Sequence, residues 1–302
     1  MRRLQLIALV VLLLLVAGGG LFFVMIKRAM PDPNVRLEIV AAGGGAYWIR
    51  GGVSNMGFIV TNSTVIVIDS EFYEQTATNA VAAIRRITDK PVRHVIVTHS
   101  DPDHVNGLPS FPGGVEVIAH PNARAEMIAA LDSWIPSPAS PSQRLRDYLP
   151  TRLVSSAIDL NLDGVPIRLL HVAPAHTDGD VIVYLPVQRI AFAGDILTPE
   201  VGPYPGIHLN KHGSSLGWIQ TVRALLQLDA TLFVSGHGSP VDRSELQARL
   251  RLAEWRRAQI AQLVAAGRTL DQIKTELHDT PLLGAASRFP TFIETTYEEL
   301  TR

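Results

Sequence analysis

The residues with the most chemical potential form one string, Thr98-His99-Ser100-Asp101-Pro102-Asp103-His104-Val105-Asn106-Gly107. It places four side chains able to bind a metal, His99, Asp101, Asp103 and His104, within a few positions. The string follows His94-Val95-Ile96-Val97-Thr98, a β-branched run that reads as a buried strand. If the backbone stays extended, His99, Asp101 and Asp103 project to one side, because side chains alternate along a strand. His104 then opens the next turn and reaches a second point nearby, as a compact two-cation site requires. A solvated polar loop is the competing reading. At this chain's His and Asp frequencies, such a string arises by chance in roughly one protein in a thousand of this length.

Three more polar clusters close strand-like runs. Pro174-Ala175-His176-Thr177-Asp178-Gly179-Asp180 follows Leu169–Val172, Ala193-Gly194-Asp195 closes Ile190–Phe192, and Ser235-Gly236-His237-Gly238 closes Leu232–Val234. Strand ends on one sheet edge converge, so ligands distant in sequence can meet. The chain has no cysteine, so metal ligands must be imidazoles and carboxylates, and a thiol nucleophile is excluded.

In order and spacing these clusters resemble the metallo-β-lactamase superfamily over about residues 35–243, as an HxDxDH variant of its HxHxDH motif. The resemblance implies two metal sites, one built from His99, Asp101 and His176 and the other from Asp103, His104 and His237, with Asp195 bridging. It implies an α+β fold, a four-layer αβ/βα sandwich with the site at one sheet edge. It also implies a hydrolase that cleaves an acyl substrate (lactam, lactone, ester or thioester) with a metal-bound hydroxide, Asp103 ligating and orienting the nucleophile. Two divalent ions are expected, zinc first, with Fe or Mn possible. The alternatives are an iron-dependent oxidoreductase of the same fold, as in the flavodiiron branch, which similarly has an acidic residue at position 101, and a β-lactamase proper. The last is weakened because Asp195 and Thr198 stand where zinc β-lactamases commonly have Cys and Lys.

The departure from the family pattern is Asp101, where His is usual. Two divalent ions, one hydroxide and three carboxylates cancel, whereas with two carboxylates one positive charge is left. A neutral centre polarises a carbonyl less and acidifies water less, and an oxygen donor shifts preference toward Fe or Mn. His208, Lys211 and His212, in the loop after Asp195, are candidates for substrate contact because that loop starts at the metal edge. His94 and His120 read as packed or surface residues and His171 as packing or support behind a ligand, while the resemblance implies that Asp69 is structural support for a ligand.

The elements that must position these residues read as mixed α and β. Strands are expected at Leu37–Ala41, Ala46–Ile49, Gly57–Thr61 and Val65–Asp69, separated by Gly and Asn turn signals. A helix over about Glu71–Ile87 and a short one over Asn122–Leu131 are expected, with Pro136–Ser142 as a surface loop. Further strands fall at Ala157–Leu162, Val165–Val172, Val181–Leu185 and Ile190–Gly194, then a helix from about Ser214 to Leu226. Residues 244–302 form a C-terminal helical extension. Ser244, Thr269 and Thr291 each open a capping-box pattern, and Leu246, Leu250, Ala253, Ile260 and Val264 make a packed stripe.

The chain of 302 residues, 47% apolar and with a formal net charge of −1, is long enough for a sizeable core and gives no electrostatic case for nucleic acid. A small-molecule substrate is the expected partner. Residues 1–30 read as a membrane anchor: Leu4–Ile26 is an uncharged run flanked by Arg2-Arg3 and Lys27-Arg28, long enough to cross a bilayer as an N-terminal transmembrane helix. A cleaved signal sequence is the rival. The expected location is therefore membrane-anchored, with the catalytic domain periplasmic or otherwise extracytoplasmic.

Overall fold

Two sheets face each other and carry the clusters on their edges. The computed structural model describes residues 32–133, 140–279 and 289–302, and the fold below is that of the unit Arg36–Arg302. The first sheet runs in sequence order from β1 (Glu38–Gly43) through β2 (Ala46–Arg50), β3 (Met56–Val60), β4 (Val65–Ile68), β5 (Val92–Ile96) and β6 (Glu116–Ala119) to β7 (Arg152–Leu153). Its first four strands form an antiparallel meander, and β4 to β7 are parallel. The second sheet has the order β12-β11-β10-β9-β8, from β8 (Ile158–Leu162), β9 (Val165–Leu170), β10 (Ile182–Leu185), β11 (Ile190–Gly194) and β12 (Leu232–Ser235). Only β11 and β12 pair in parallel there.

Alternation along the strands separates three cores. In β4, Ile66 and Ile68 face the other sheet while Val65 and Val67 face outward. In β11, Ile190 and Phe192 point to the sheet interface, and Ala191 and Ala193 point away. Both faces of each sheet are thus apolar, as a covered sheet requires. Helices α1 (Glu74–Arg85), α2 (Pro102–Val105) and α3 (Pro121–Asp132) follow strands of the first sheet, and Ala80, Ile84, Ala123 and Met127 pack on its outer face. Helices α4 (Ser215–Leu225), α5 (Arg243–Ala265), α6 (Leu270–Glu276) and α7 (Phe292–Thr301) cover the second through Trp218, Val222, Leu246, Ile260 and Phe292. The four layers match the expected sandwich, and the described residues of the C-terminal extension, in α5 to α7, pack onto its outer face rather than standing apart.

Several expectations need correction. Among the described residues no helix is long and apolar enough to cross a membrane. The anchor read at Leu4–Ile26 lies outside the described residues, the described fold is a sandwich without a transmembrane helix, and the membrane-anchored, extracytoplasmic location is withdrawn. Most of the Pro136–Ser142 loop lies outside them as well. Helix α5 begins earlier than Ser244: Asp242 is its N-cap and accepts from the Glu245 N–H. The capping boxes at Thr269 and Thr291 form as expected. On the polar side of α5, Arg257 pairs with Glu299 of α7 at 3.1 Å and Arg256 donates to Tyr204.

The two sheets interlock at Gly57, where any side chain would overlap the Phe192 ring. Phe192→Ala removes the ring and is expected to cost about 3–5 kcal/mol; Gly57→Ala is expected to destabilise by about 1–3 kcal/mol through overpacking. Urea unfolding of both variants measures these values, and loss in only one would contradict the proposed interlock.

Candidate metal centre

Parallel pairing puts the C-terminal ends of β4 and β5 on one edge of the first sheet, and those of β11 and β12 on one edge of the second. Asp69 follows β4, the His99–His104 string follows β5, Asp195 follows β11 and His237 follows β12. The edges are stitched together where Val181 N–H donates to the Thr98 carbonyl and Asn55 N–H to that of Gly236, both at 2.7 Å.

The backbone of the string departs from the extended form expected. Asp101 is extended at φ −64 and ψ 144, but Pro102 begins the four-residue helix α2, so Asp103 is helical. A residue before proline is held out of the helical region, and proline's fixed φ suits a first helical position. The break sends the side chains in two directions. His99, Asp101, His176 and Asp195 offer ligand atoms all within 4.8 Å of one another, as do Asp103, His104 and His237. Asp195 reaches both groups: Oδ1 lies 3.2 Å from His104 Nε2, and Oδ2 lies 3.3 Å from His237 Nε2 and 3.8 Å from His176 Nε2.

Each of the four histidines spends Nδ1 on an acceptor and turns Nε2 to the centre. His104 Nδ1 donates to Asp69 Oδ2, His176 Nδ1 to the Gly206 carbonyl and His237 Nδ1 to the Val53 carbonyl, all within 2.9 Å. His99 Nδ1 donates to Thr98 Oγ1 at 3.0 Å, and that hydroxyl donates to Asp69 Oδ2. Such outer partners fix ring orientation and raise the basicity of the free nitrogen. His99 Nε2, His104 Nε2 and Asp195 Oδ1 are buried and make no hydrogen bond. Buried polar atoms without partners are costly, and a cation among them would satisfy all three. The donor set of imidazole and carboxylate fits divalent transition ions.

The electrostatics of the metal-free cluster show how tightly its charges are balanced. Burial pushes the Asp101 carboxyl up, but hydrogen bonds from His176 and His208, with the nearby His99 and Lys211, hold it well below the usual range. Burial would depress His176, yet Asp101 and Asp195 outweigh it and lift that imidazole to about 9. By the same contest Asp195 and Asp103 lift His237 to about 10. His99 goes the other way, held low by burial and by the neighbouring His104.

The remaining candidates divide. His208 Nε2 donates to Asp101 Oδ2 and Lys211 Nζ to Asp101 Oδ1, each at 2.8 Å, so both reach the cluster. His212 is exposed, in a left-handed conformation at φ 56, and takes no place in either group. His94 pairs with Glu116, and His120 stacks on His171 with centroids 4.2 Å apart, away from the ligand atoms. Two contributors escaped the sequence reading. The Gly51–Asn55 turn supplies the Val53 carbonyl under His237, and Ser54 Oγ donates to the Asp103 carbonyl; its Gly and Asn residues signalled only a turn. Phe289, in the C-terminal extension, packs its ring 4.4 Å from that of His208 and 5.7 Å from that of His176.

Asp69 anchors one imidazole directly and another through Thr98. Asp69→Asn is therefore expected to weaken cation binding about 10- to 100-fold. Competition with a chromogenic chelator measures it; unchanged affinity would remove Asp69 from the support of the site.

Comparison with known proteins agrees with this geometry. Residues 49–237 match the Metallo-beta-lactamase superfamily. The chain is 28% identical over 269 residues to the 2,4-dinitroanisole O-demethylase subunit alpha of Nocardioides sp. (strain JS1661), covering 86% of this chain and 77% of that protein. Its fold is similar to that of the stereoselective inverting sec-alkylsulfatase of Pseudomonas sp., at TM-score 0.66 and 19% identity, covering 87% of this chain and only 50% of that one. It is also similar to the metallo-β-lactamase from Pontibacter korlensis, at TM-score 0.60 and 20% identity, covering 72% of this chain and 99% of that one. With the family matched across most of the sandwich and its edge clusters, the chain belongs to the metallo-β-lactamase superfamily.

Proposed function

We propose that the protein is a metal-dependent hydrolase whose centre holds two divalent cations, zinc first, between residues 35 and 243. The observation that carries this reading is the set of four imidazoles, each braced at Nδ1, that turn Nε2 toward three buried carboxylates. His99, Asp101 and His176 would hold one cation and Asp103, His104 and His237 the other, with the Asp195 carboxylate lying within reach of both groups. Cations held there supply Lewis acidity, which acidifies water and polarises the bond to be cleaved.

The chain's own residues supply position and proton handling. Asp103, with Oδ2 3.1 Å from His237 Nε2, is placed to orient the attacking water and accept its proton. The Gly51–Asn55 turn ties His237 and the Asp103 backbone together through Val53 and Ser54. The chain has no cysteine, and this chemistry needs no Ser or Cys nucleophile.

Acyl compounds (lactams, lactones, esters and thioesters) are the substrate class the motif supports. The relatives favour a second reading, cleavage of an aryl methyl ether or a sulfate ester, since one is named for demethylating an anisole and another for alkyl sulfates. A hydrolysis panel on the full chain, spanning lactams, lactones, thioesters, sulfate esters and aryl methyl ethers and loaded separately with Zn, Fe or Mn, separates these. Activity is expected to disappear with chelator and return with metal, and Asp195→Ala is expected to lose cations from both groups. Turnover that survives full chelation would overturn the reading.

Metal uptake should release protons. His176 and His237, raised to about 9 and 10, are protonated at neutral pH without metal, so a cation must displace those protons and its affinity falls as pH drops. The sign for stability is the reverse. These raised pKa values stabilise the metal-free fold fully below 6.5, and that contribution is lost as pH rises through 9 and 10. Thermal unfolding from pH 6 to 10.5 is expected to show Tm falling at the alkaline end for chelated protein and holding for loaded protein. Parallel curves would contradict the linkage.

A further inference from the structure

Asp101 is fully buried, and its two oxygens have different tasks. Oδ2 faces the first ligand group, 3.3 Å from His176 Nε2 and 3.8 Å from His99 Nε2, and also accepts from His208. Oδ1 faces away and takes the Lys211 ammonium at 2.8 Å. That ammonium is held from two further sides, by Ser100 Oγ at 2.9 Å and Glu126 Oε2 at 3.2 Å, while Ser100 itself donates to Glu126. The side chain of Lys211 is only 20% exposed, so the pair is shielded from water.

The backbone carrying Lys211 is tied to the strand of chain that carries His176. His208 N–H donates to the His176 carbonyl at 2.8 Å, Asp178 N–H to that of Lys211 at 2.9 Å, and Ser214 N–H to that of Ala175 at 2.9 Å. At Gly213 a side chain would run into the His176 and Ala175 carbonyls, so the loop can approach only as glycine. Lys211 is therefore delivered to Asp101 by the same segment that delivers a metal-binding imidazole. A surface lysine that met a carboxylate by accident would lack this construction.

We infer that Lys211 is the positioning residue that lets an aspartate stand at position 101: its ammonium neutralises the added carboxylate and turns Oδ2 onto the cation held by His99 and His176. Counted from the sequence, three carboxylates, a hydroxide and two divalent ions cancel. Lys211 adds one positive charge beside Asp101, and Glu126, which shares that ammonium at 3.2 Å, takes one away, so the pairing acts locally on Asp101 and leaves the total count unchanged. An ion pair at this depth is expected to act strongly on its partner, because burial limits screening. The function of Lys211 is then to tune and aim a ligand, with its charge already spent before any substrate arrives. This inference rests on the reading of Asp101 as part of the cation-holding group.

The test compares full-length wild type, Lys211→Met, Lys211→Arg and the double variant Asp101→His/Lys211→Met. Cation stoichiometry is read by elemental analysis, affinity by chelator competition, and the coordination of substituted Co(II) by its visible absorption bands. Lys211→Met is expected to weaken one of the two cations about 10- to 100-fold and to change the Co(II) bands, with Lys211→Arg retaining the bound metal. The double variant is expected to regain the lost cation, since a neutral imidazole at position 101 needs no ammonium beside it. Wild-type affinity and spectrum in Lys211→Met would overturn the inference. So would a double variant as deficient as the single one, because Lys211 would then be supporting only the local fold. A wild-type chain that holds two cations while Lys211→Met is unaltered sinks this inference alone, whereas a wild type that holds none sinks the metal-centre reading with it.

Discussion

Everything at the sheet edge depends on burying carboxylates that cannot be buried alone. Asp101, Asp103 and Asp195 are each within a few per cent of full burial, and ionised carboxylates in such a setting are strongly disfavoured without countercharge. The fold supplies that charge from every direction. Four imidazoles converge from three loops, Lys211 closes one side, and His208 adds a donor. The price is a cluster that crowds like partners together, with buried His99 Nε2 and His104 Nε2 making no well-formed hydrogen bond even though Asp195 Oδ1 lies 3.2 Å from the latter.

That crowding explains the investment in bracing. An unbraced imidazole would rotate to relieve the mismatch, and the site would collapse into ordinary ion pairs. Asp69 prevents this for two histidines, holding His104 directly and His99 through Thr98. Carbonyls of Val53 and Gly206 do the same for His237 and His176. Tight sheet packing supports the bracing from behind. Gly236 sits so close to Asp195 that a side chain there would strike its carboxylate, so the glycine before His237 is a condition for the place Asp195 takes between the two groups.

The string around His99 was legible because its donors crowd into one short stretch, and the distant members because each closes an apolar strand run. Alternating apolar patterns disclosed most strands to within one or two residues. What could not be read has physical causes. The split of the string between two groups hinges on Pro102 starting a helix, an effect that outweighs the period-two expectation drawn from β5. The turn at Gly51–Asn55 looked like any hairpin, because carbonyl oxygens carry no sequence signature. The run at Leu4–Ile26 has the composition of a span, but composition cannot say what the described fold does with it, and no described helix has that character.

Lys211 shows the deepest limit. On the sequence it stood beside His208 and His212 as a residue that might greet a substrate, and charge counted from ligands alone made the centre neutral. Both readings treated position 101 as if its environment were the metals only. The carboxylate has two oxygens, and in this fold they face different partners: one the imidazoles, one the ammonium. An imidazole at the same position would have no second acceptor to offer that ammonium, so the substitution and the lysine are chemically coupled. The surroundings of Asp101 thus include a residue more than a hundred positions away, through a contact that only the folded chain makes.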